Sequence, residues 1–389
     1  MFKVNLYDNM NTLKVENFGP IGKADVSFGD LTFLVGAQAS GKSLFLELLK
    51  LLEDKGAIIN TLRKYNYIIS KKVTSNLLDA YFGNGMADVW GKSTRIVYDG
   101  GDVSRASLMN GGNNAEEKVF YIPAQRIFSI SDGRPKAFSE FDPTAPYVLR
   151  QFSETLRIFM SIGLGGNTVL YPIKTRLKEL QKKSFNNSIF HGGRVEMEND
   201  NGQRKMRLKV DGMDMPFMTW SAGQKEFMPL LMGFYCVSGP PMHVLNKDQY
   251  DSIIIEEPEM GLHPQAIMAV LLEILQLVQM GKRVIVSTHS TVPLEFVWAF
   301  NILKKSTKKD RETALLKMFD ETVEGPGMLS GIFEKDIRTY AFVRKGDKVT
   351  SLDISSLDAL DGREEVSEWG GLSSFATKAS ELVSMYCDD

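Results

Sequence analysis

The sequence predicts an α/β fold with a mixed or parallel central sheet, an antiparallel β-subdomain and a helical insertion. Residues 31–52 contain an apolar run, a glycine-rich loop and a helical pattern, and residues 252–290 contain two apolar runs around a helical pattern. Apolar runs joined by helices are typical of parallel strands that are buried on both faces. Alternating segments at Arg194–Glu198 and Lys205–Val210, joined by a polar turn, predict a hairpin of the antiparallel subdomain.

Shorter patterns near the start of the chain predict further elements of this fold. Strands are expected at Leu13–Val15, Ala24–Phe28, Thr94–Tyr98 and Val119–Pro123, because each segment is short, largely apolar or β-branched, and bounded by polar or turn residues. A helical stretch is expected near Asn60–Tyr81.

Later patterns complete the predicted organisation. Amphipathic patterns at Val148–Ile162 and Ile173–Lys183 predict the helical insertion. A second hairpin is expected from Thr339–Arg344 and Lys348–Ile354, and a final helix near Ser373–Tyr386. The predicted parts of the chain are an N-terminal lobe with the glycine-rich loop (1–133), the helical insertion with its hairpin (134–218), a middle part (219–300) and a C-terminal α/β extension (301–389).

Composition and charge restrict the classes of partner. The 389-residue chain is 43% apolar and 24% charged with a formal net charge of −2, as expected for a globular protein with a substantial core. No global positive field attracts nucleic acid, so a DNA site would have to be local. The most suggestive basic cluster, which is either a solvated helix end or such a local site, comprises Lys304, Lys305, Lys308, Lys309 and Arg311.

The sequence also predicts a compartment. The cysteines are Cys236 and Cys387, without metal-ligand spacing, which is typical of a reducing cytosol. The segment Met1–Asn5 lacks the layout of a signal peptide, and polar residues interrupt the longest apolar helix pattern, Ala266–Met280. We therefore expect a cytoplasmic protein without a membrane partner.

The glycine-rich segment Gly36–Ser43 fits the pattern G-x-x-x-x-G-K-[ST] between an apolar run and a helical run. This context is that of a phosphate-binding loop, in which backbone N–H groups and a helix N-terminus face a phosphate. Lys42 would reach the β- and γ-phosphates of ATP, and the Ser43 hydroxyl would bind Mg²⁺. The predicted nucleotide contacts in this segment are Gly36, Ala37, Gln38, Ala39, Ser40, Gly41, Lys42, Ser43 and Leu44.

Two later strands end in side chains that are suited to phosphate chemistry. The apolar run that begins at Ser252 ends in Glu256 and Glu257. We assign Mg²⁺ binding to Glu256 and the attacking water to Glu257, which would orient or deprotonate it. The strand Arg283–Thr288 is followed by His289, whose neutral imidazole can hydrogen-bond a γ-phosphate, although a lone histidine is more often structural.

A fourth motif, Trp220–Lys225, opens a helix with a serine and a glycine, which alone indicates only a capped helix or an anion-binding N-terminus. The four motifs in this order resemble those of the ATP-binding cassette (ABC) ATPases. Ser221–Gln224 resembles the signature motif, Glu256 the Walker B acid, Glu257 the catalytic glutamate and His289 the switch histidine. The resemblance implies an ABC-ATPase-like P-loop fold that binds and hydrolyses ATP with Mg²⁺.

The particular residues of the motifs resemble those of one branch of these ATPases, the soluble OLD-like and RecF-like proteins. The matching segments are Glu256–Glu259 followed by Gly261–Pro264, Ser287–Ser290, Asn17–Ile21 and Tyr121–Arg126. The last segment resembles the Q-loop, which implies that Gln125 senses the γ-phosphate and Mg²⁺.

The chain departs from the family pattern at several positions. Ala39 stands where the phosphate loop usually has glycine, Gln38 replaces the usual asparagine, Ala222 replaces the first signature glycine, and Glu256 replaces the common aspartate. None of these departures removes a phosphate or metal ligand, so ATP binding is still expected.

The resemblance further implies an assembly. In this family the signature motif of one subunit closes on the ATP held by another, so Ser221, Gly223 and Gln224 would contact the nucleotide of a second copy. The resemblance therefore implies a head-to-tail homodimer around two ATP molecules. This dimer could also be part of a larger assembly. ATPases of this branch without their own nuclease resemble subunits of bacterial anti-phage systems of the PARIS type, which control a separately encoded toxin or nuclease.

The sequence fits other functions of P-loop ATPases less well. OLD nucleases carry a Toprim domain with an Asp-x-Asp motif, and the residues after His289 contain no such motif. The absence of a long heptad pattern argues against SMC-type arms, and the Glu-Glu-Pro-Glu phrasing argues against a transporter subunit. A RecF-like DNA-binding ATPase in repair or maintenance stays the alternative.

Overall fold

The computed structural model describes residues 12–70, 73–110, 116–164, 168–173, 175–200, 202–240, 246–307, 310–319 and 329–386. The described residues form two compact units. The first unit comprises those of Met1–Leu49, Asp88–Leu108 and Arg283–Asp389, and the second unit comprises those of Lys50–Ala87 and Met109–Lys282. The predicted part boundaries at residues 133, 218 and 300 stay a prediction.

The strands of the described residues are β1 Thr12–Phe18, β2 Ile21–Ser27, β3 Leu31–Gly36, β4 Trp90–Tyr98, β5 Gly101–Val103, β6 Val119–Ile122, β7 Ile130–Ser131, β8 Arg134–Pro135, β9 Val169–Tyr171, β10 Arg194–Asp200, β11 Gln203–Val210, β12 Met213–Pro216, β13 Ser252–Glu256, β14 Arg283–Thr288, β15 Ile337–Lys345 and β16 Lys348–Asp353. The α-helices of the same residues are α1 Lys42–Lys64, α2 Ser75–Phe82, α3 Tyr147–Ile158, α4 Glu179–Phe185, α5 Ala222–Val237, α6 Pro264–Gln279, α7 Val292–Lys304, α8 Arg311–Leu316, α9 Glu364–Ser367 and α10 Ser374–Tyr386.

A mixed sheet forms the framework of the first unit. Its described strands run in the order β5-β4-β1-β2-β16-β15-β3-β14. Strand β3 pairs in parallel with both β14 and β15, and all of its residues are buried. The register aligns Val35 with Thr288, and Gly36 with Phe342. The segments that follow β3 and β14 therefore leave from the same edge of the sheet.

The second unit combines a parallel strand pair, an antiparallel sheet, helices α2 to α6 and the larger part of α1. Strand β6 pairs in parallel with β13, and the antiparallel sheet has the order β12-β11-β10-β9. Helix α5 is buried from Phe227 to Val237, and α6 buries most of its apolar side chains. None of the helices in the described part of the chain combines the length and apolar character that crossing a membrane requires.

The predicted α/β class, with its mixed sheet, antiparallel subdomain and helical segments, is confirmed. The prediction of one helical stretch near Asn60–Tyr81 is wrong. Helix α1 ends at Lys64, and Asn66 then adopts a left-handed conformation with φ of 64°, which ends the helix. The next helix begins only at Ser75.

The predicted helix Ile173–Lys183 is wrong in its first half. Helix α4 begins only at Glu179. The residues before it form a turn, in which the Arg176 N–H donates to the Ile173 carbonyl oxygen at 3.1 Å and the Arg176 guanidinium donates to the carbonyl oxygens of Tyr235 and Ser238 at the end of α5. The predicted helix Val148–Ile162 is present as α3, which continues into a π-helical turn at Phe159–Gly163.

A buried ion-pair cluster joins the second-unit part of α1 to the start of β6. The Lys50 ammonium is almost fully buried and lies 2.8 Å from an Asp54 carboxylate oxygen and 3.3 Å from Glu117, and it donates to the Val119 carbonyl oxygen at 2.8 Å. The Asp54 carboxylate also accepts the backbone N–H groups of Lys118 at 2.7 Å and Val119 at 3.1 Å. Burial lowers the pKa of Lys50, but the two carboxylates raise it more, so the pKa lies above its ordinary value. The Lys50 ammonium therefore keeps its charge at neutral pH.

Replacing Asp54 with alanine should strongly destabilise the protein, because Lys50 would stay buried with fewer partners and two N–H groups would lose their acceptor. We expect the free energy of unfolding to fall by about 3–5 kcal/mol in urea denaturation. The control is Asp25→Ala, which removes an exposed ion pair with Lys14 and should cost about 1 kcal/mol or less. Equal losses in the two variants would contradict the importance of the buried cluster.

Candidate phosphate-binding site

The glycine-rich loop connects the end of β3 to the start of α1, in the predicted strand–loop–helix order. Gly36 has a φ of 142°, and a Cβ atom there would lie 2.4 Å from the carbonyl oxygen of Phe342. Gly41 has a φ of 81°, and its Cβ atom would lie 3.0 Å from the Ile21 side chain. Both positions therefore require glycine.

Ala39 is the strained position of the loop. It adopts a φ of 56°, in the left-handed region that costs a residue with a Cβ atom about 1–2 kcal/mol. Its carbonyl oxygen accepts a hydrogen bond from Arg344 Nη2 at 3.2 Å, which ties the loop to β15. Ala37 and Gln38 are exposed beside it. The alanine that departs from the family pattern thus occupies a backbone conformation that favours glycine.

Lys42 and His289 meet beside this loop. Lys42 Nζ donates to two loop carbonyl oxygens at 2.8 and 3.1 Å and to Ser40 Oγ at 3.2 Å, and it lies 3.4 Å from His289 Nε2. Since the ammonium can only donate, this contact requires Nε2 to accept. The histidine is half-buried and directly follows β14, the parallel neighbour of β3. Two residues predicted from separate motifs are therefore adjacent.

The first turn of α1 carries the other groups predicted to contact a nucleotide. Ser43 is exposed and Leu44 is half-buried. The first N–H groups of a helix have no acceptor within the helix and can bind an anion. The Lys42 ammonium and the helix N–H groups can donate to the phosphates of ATP, and the exposed Ser43 hydroxyl can bind Mg²⁺.

In the second unit, β13 ends in the two predicted carboxylates. Glu256 is 3% exposed, and its Oε2 accepts the Ala124 backbone N–H at 3.1 Å. Glu257 is half-buried and adopts a φ of 41°, which is strained for a residue other than glycine. Strained backbone of this kind clusters at active sites, so it is an independent observation in favour of a functional role for Glu257.

Arg126 holds this strand end, and the sequence patterns did not single it out. Its fully buried guanidinium donates to the backbone carbonyl oxygens of Glu226 at 3.2 Å, Glu256 at 3.1 Å and Glu257 at 3.2 Å. Burial lowers the pKa of Arg126, whereas the nearby glutamate carboxylates raise it. The available signal was its position directly after Gln125, in the segment that resembles the Q-loop. Arg126 is a positioning residue for both carboxylates.

The signature-like segment begins α5 with reciprocal caps. Ser221 Oγ accepts the Gln224 backbone N–H at 3.3 Å, and Gln224 Oε1 accepts the Ser221 backbone N–H at 3.2 Å. Gln224 Nε2 also donates to the Ile189 carbonyl oxygen at 3.2 Å. Ser221 is exposed, whereas the Gln224 side chain is used within the chain, and its contact with ATP stays a prediction.

Gly223 allows α5 to approach Gly261–Pro264, one of the segments that resemble the OLD-like proteins. A Cβ atom at Gly223 would lie 2.8 Å from the carbonyl oxygen of Gly261, which itself has a φ of 70°. The glycine of the signature-like motif is therefore required by packing inside one chain, whatever it contacts on another molecule.

Gln125 and His263 lie in two further segments that resemble family motifs. Gln125 is exposed, and its carbonyl oxygen accepts the Phe128 N–H at 3.1 Å. His263 caps α6 by accepting the Gln265 N–H on Nδ1 at 3.4 Å. The role of Gln125 as a sensor stays a prediction.

The basic cluster near residue 304 has structural contacts. The Arg311 guanidinium lies 4.7 Å from the Phe333 ring centroid and donates to the carbonyl oxygens of Lys304 and Ser306. Lys305 is exposed at the end of α7. These contacts favour the solvated helix end over a DNA site. The predictions that concern Lys308, Lys309, Cys387 and Met1–Asn5 fall outside the described residues.

The structure thus brings the predicted residues together in two groups. In the first unit, Lys42 and His289 lie at the glycine-rich loop. In the second unit, Arg126 donates to the backbone carbonyl oxygens of both carboxylate residues, Glu256 and Glu257.

A comparison with protein-family models matches residues 165–292 to the AAA ATPase domain AAA_15. This range contains the signature-like segment, the carboxylate strand and the strand that precedes His289. The match supports an ATPase domain over this range, and the glycine-rich loop Gly36–Ser43 lies outside it. No curated protein matches the chain.

Similar solved structures come from SMC head domains. One is an SmcHead bound to the C-winged helix domain of ScpA, with a TM-score of 0.40, 11% identity, and coverage of 88% of this chain and 96% of that chain. The SMC head domain from Thermotoga maritima has a TM-score of 0.37, 11% identity, and coverage of 88% and 97%. An Smc head domain with an extended coiled coil, bound to a ScpA domain derived from Pyrococcus furiosus, has a TM-score of 0.36, 11% identity, and coverage of 96% and 98%. At these TM-scores the likeness carries no information about activity.

Replacing Arg126 with lysine should keep the charge but lose the planar set of donors that reaches three carbonyl oxygens. We expect ATP turnover to fall by about tenfold or more, because a displacement of a reacting group by about 1 Å costs up to about 100-fold. Phosphate release and ATP affinity should be measured together, and the affinity should change little.

Arg134→Lys is the matched control, because Arg134 is an exposed arginine paired with Glu140. Turnover by Arg126→Lys at the rate of this control would contradict the positioning role.

Proposed function

We propose that the protein is an ABC-type switch that binds and hydrolyses ATP. The observation that carries the proposal is the 3.4 Å contact between Lys42 Nζ and His289 Nε2 beside a strand–loop–helix phosphate loop. A lone glycine-rich turn gives no reason for a histidine from another strand to lie at its lysine. In this family the two residues contact the same γ-phosphate.

Each candidate residue receives a role in this proposal. Lys42 would bind the β- and γ-phosphates. Ser43 and Glu256 would hold Mg²⁺, whose positive charge would offset the negative charge of the phosphates. Glu257 orients and accepts a proton from the attacking water. His289 hydrogen-bonds the γ-phosphate, and Gln125 senses it.

We further propose that two copies close head to tail around two ATP molecules. Ser221 is exposed at the start of α5, and its Oγ accepts one N–H group, so its own hydrogen can be donated to a phosphate of the second copy. Gly223 lies beside it at the same helix N-terminus, which favours an anion. ATP binding thereby becomes a change of oligomeric state.

The proposed role of this switch is control of a separately encoded effector, a toxin or nuclease, in anti-phage defence in the cytoplasm. Its basis is the resemblance of Glu256–Glu259 to the OLD-like ATPases. The RecF-like alternative needs a DNA-binding surface. Arg311 is engaged in contacts within its own unit, and the net charge of the chain is −2. Both observations argue against a DNA-binding surface.

Replacing Glu257 with glutamine should preserve ATP binding and reduce turnover by about 100-fold or more, because the amide cannot accept the proton of water. The closed dimer should then accumulate with ATP and be visible by light scattering after size exclusion. Glu179→Gln removes the same charge from an exposed side chain of the second unit and should hydrolyse ATP at close to the wild-type rate. Wild-type turnover by Glu257→Gln, with no dimer, would refute the assignment.

Replacing Lys42 with alanine should abolish nucleotide binding, because the ammonium supplies the fixed positive charge of the loop. Binding of a fluorescent ATP analogue measures this loss, and thermal unfolding verifies that the variant is folded. Lys345→Ala is the control, since this lysine is exposed and pairs with Glu365. Retained affinity in Lys42→Ala would remove the phosphate loop from the proposed site.

A further inference from the structure

Two exposed apolar surfaces have no part in the nucleotide chemistry described above. The first, the α10 stripe, consists of Phe375, Leu382 and Val383, which are 84%, 57% and 60% exposed. Their spacing places them on one side of the helix. The second, the methionine pair, consists of Met213 and Met218, which are 54% and 62% exposed. Met213 begins β12, and Met218 lies in the turn that follows this strand. Exposed apolar side chains that recur along a short segment are candidates for an interaction surface.

The α10 stripe begins beside the phosphate loop. A Cβ atom at Gly370 would lie 3.1 Å from both Val35 and Ala341, so the turn Trp369–Gly371 packs directly on the end of β3. Val35 is the residue before Gly36, at which the loop begins, and α10 starts at Ser374. The stripe therefore extends from the same edge of the first unit that carries Lys42.

The methionine pair adjoins the signature-like helix of the second unit. Met218 lies in the turn Phe217–Thr219, between Phe217 and Trp220, which are 4% and 3% exposed with ring centroids 5.0 Å apart. Trp220 Nε1 also donates to the Met215 carbonyl oxygen at 3.0 Å. The buried rings of Phe217 and Trp220 therefore hold the turn in place. Met218 is exposed three residues before Ser221.

We propose that the α10 stripe of one copy docks on the methionine pair of a second copy when ATP closes the dimer. The inference rests on the proposed function, in which the phosphate loop of each copy faces the signature-like helix of the other. Each surface adjoins one half of that composite site, and the proposal therefore brings the two into contact once on each side of the interface.

The chemistry of the two surfaces suits this contact. Methionine is flexible and polarizable, and it adapts to aromatic and aliphatic partners. A stable interface buries about 800 Å² on each partner. One exposed phenylalanine supplies about 200 Å² of this when it is covered. The stripe and the pair therefore add apolar area that contacts with phosphate alone do not provide.

The test uses the full chain carrying Glu257→Gln, so that ATP is not consumed. Phe375→Asp or Met218→Asp should raise the dissociation constant of the ATP-bound dimer about tenfold or more in sedimentation velocity. The affinity of the monomer for a fluorescent ATP analogue should stay within about twofold, since neither side chain belongs to the phosphate loop. Ile302→Asp is the matched control, because this residue is 52% exposed on α7 of the same first unit and should leave dimerisation unchanged.

A mixing experiment separates this docking from a general loss of stability. A heterodimer of Phe375→Asp with Met218→Asp keeps one intact stripe facing one intact pair, whereas each variant alone keeps none. The mixture should therefore dimerise more tightly than either variant.

Dimerisation of Phe375→Asp equal to that of its Glu257→Gln parent, or no gain on mixing, would overturn the docking and leave the ATP-closed dimer intact. A parent that forms no dimer with ATP would overturn both proposals.

Discussion

The parallel pairing of β3 with β14 is the interaction on which the candidate phosphate site depends. It aligns Val35 with Thr288, so the loop that ends at Lys42 and the residue His289 begin at one edge of the sheet. Strand β15 flanks β3 on its other side and supplies the backbone of Phe342 and the side chain of Arg344, which confine the loop. Because β3 is buried throughout, a shift in its register would displace all of these groups together.

The features that could be predicted from the sequence are those encoded by neighbouring residues. The apolar run of β3, the glycines of the loop and the apolar runs of β13 and β14 are local signals, and each appears where it was expected. The predicted helix near Asn60–Tyr81 failed because a left-handed Asn66 interrupts a pattern that otherwise continues. The start of α4 was missed because Arg176, in the turn before it, donates to carbonyl oxygens at the end of α5, a tertiary effect that overrides local propensity.

Other parts of the site depend on contacts between distant segments and left little signal. Arg126 is separated by 130 residues from Glu256, and only folding places its guanidinium at that backbone carbonyl. The positive φ values of Ala39 and Glu257 are likewise absent from any residue pattern, since neither residue is one that favours such a conformation. The alanine was visible only as a departure from the family, and the structure gives that departure a conformational meaning.

The hydrogen bonds of Lys42 to its own loop have a consequence for how a ligand is received. A free lysine side chain loses up to about 2 kcal/mol of rotamer entropy when it is immobilised. Here the ammonium is already held by two carbonyl oxygens and by Ser40, so that loss occurs during folding. An incoming phosphate exchanges partners with an ordered cation instead of ordering a mobile one, and its departure leaves the cation in place for the next molecule.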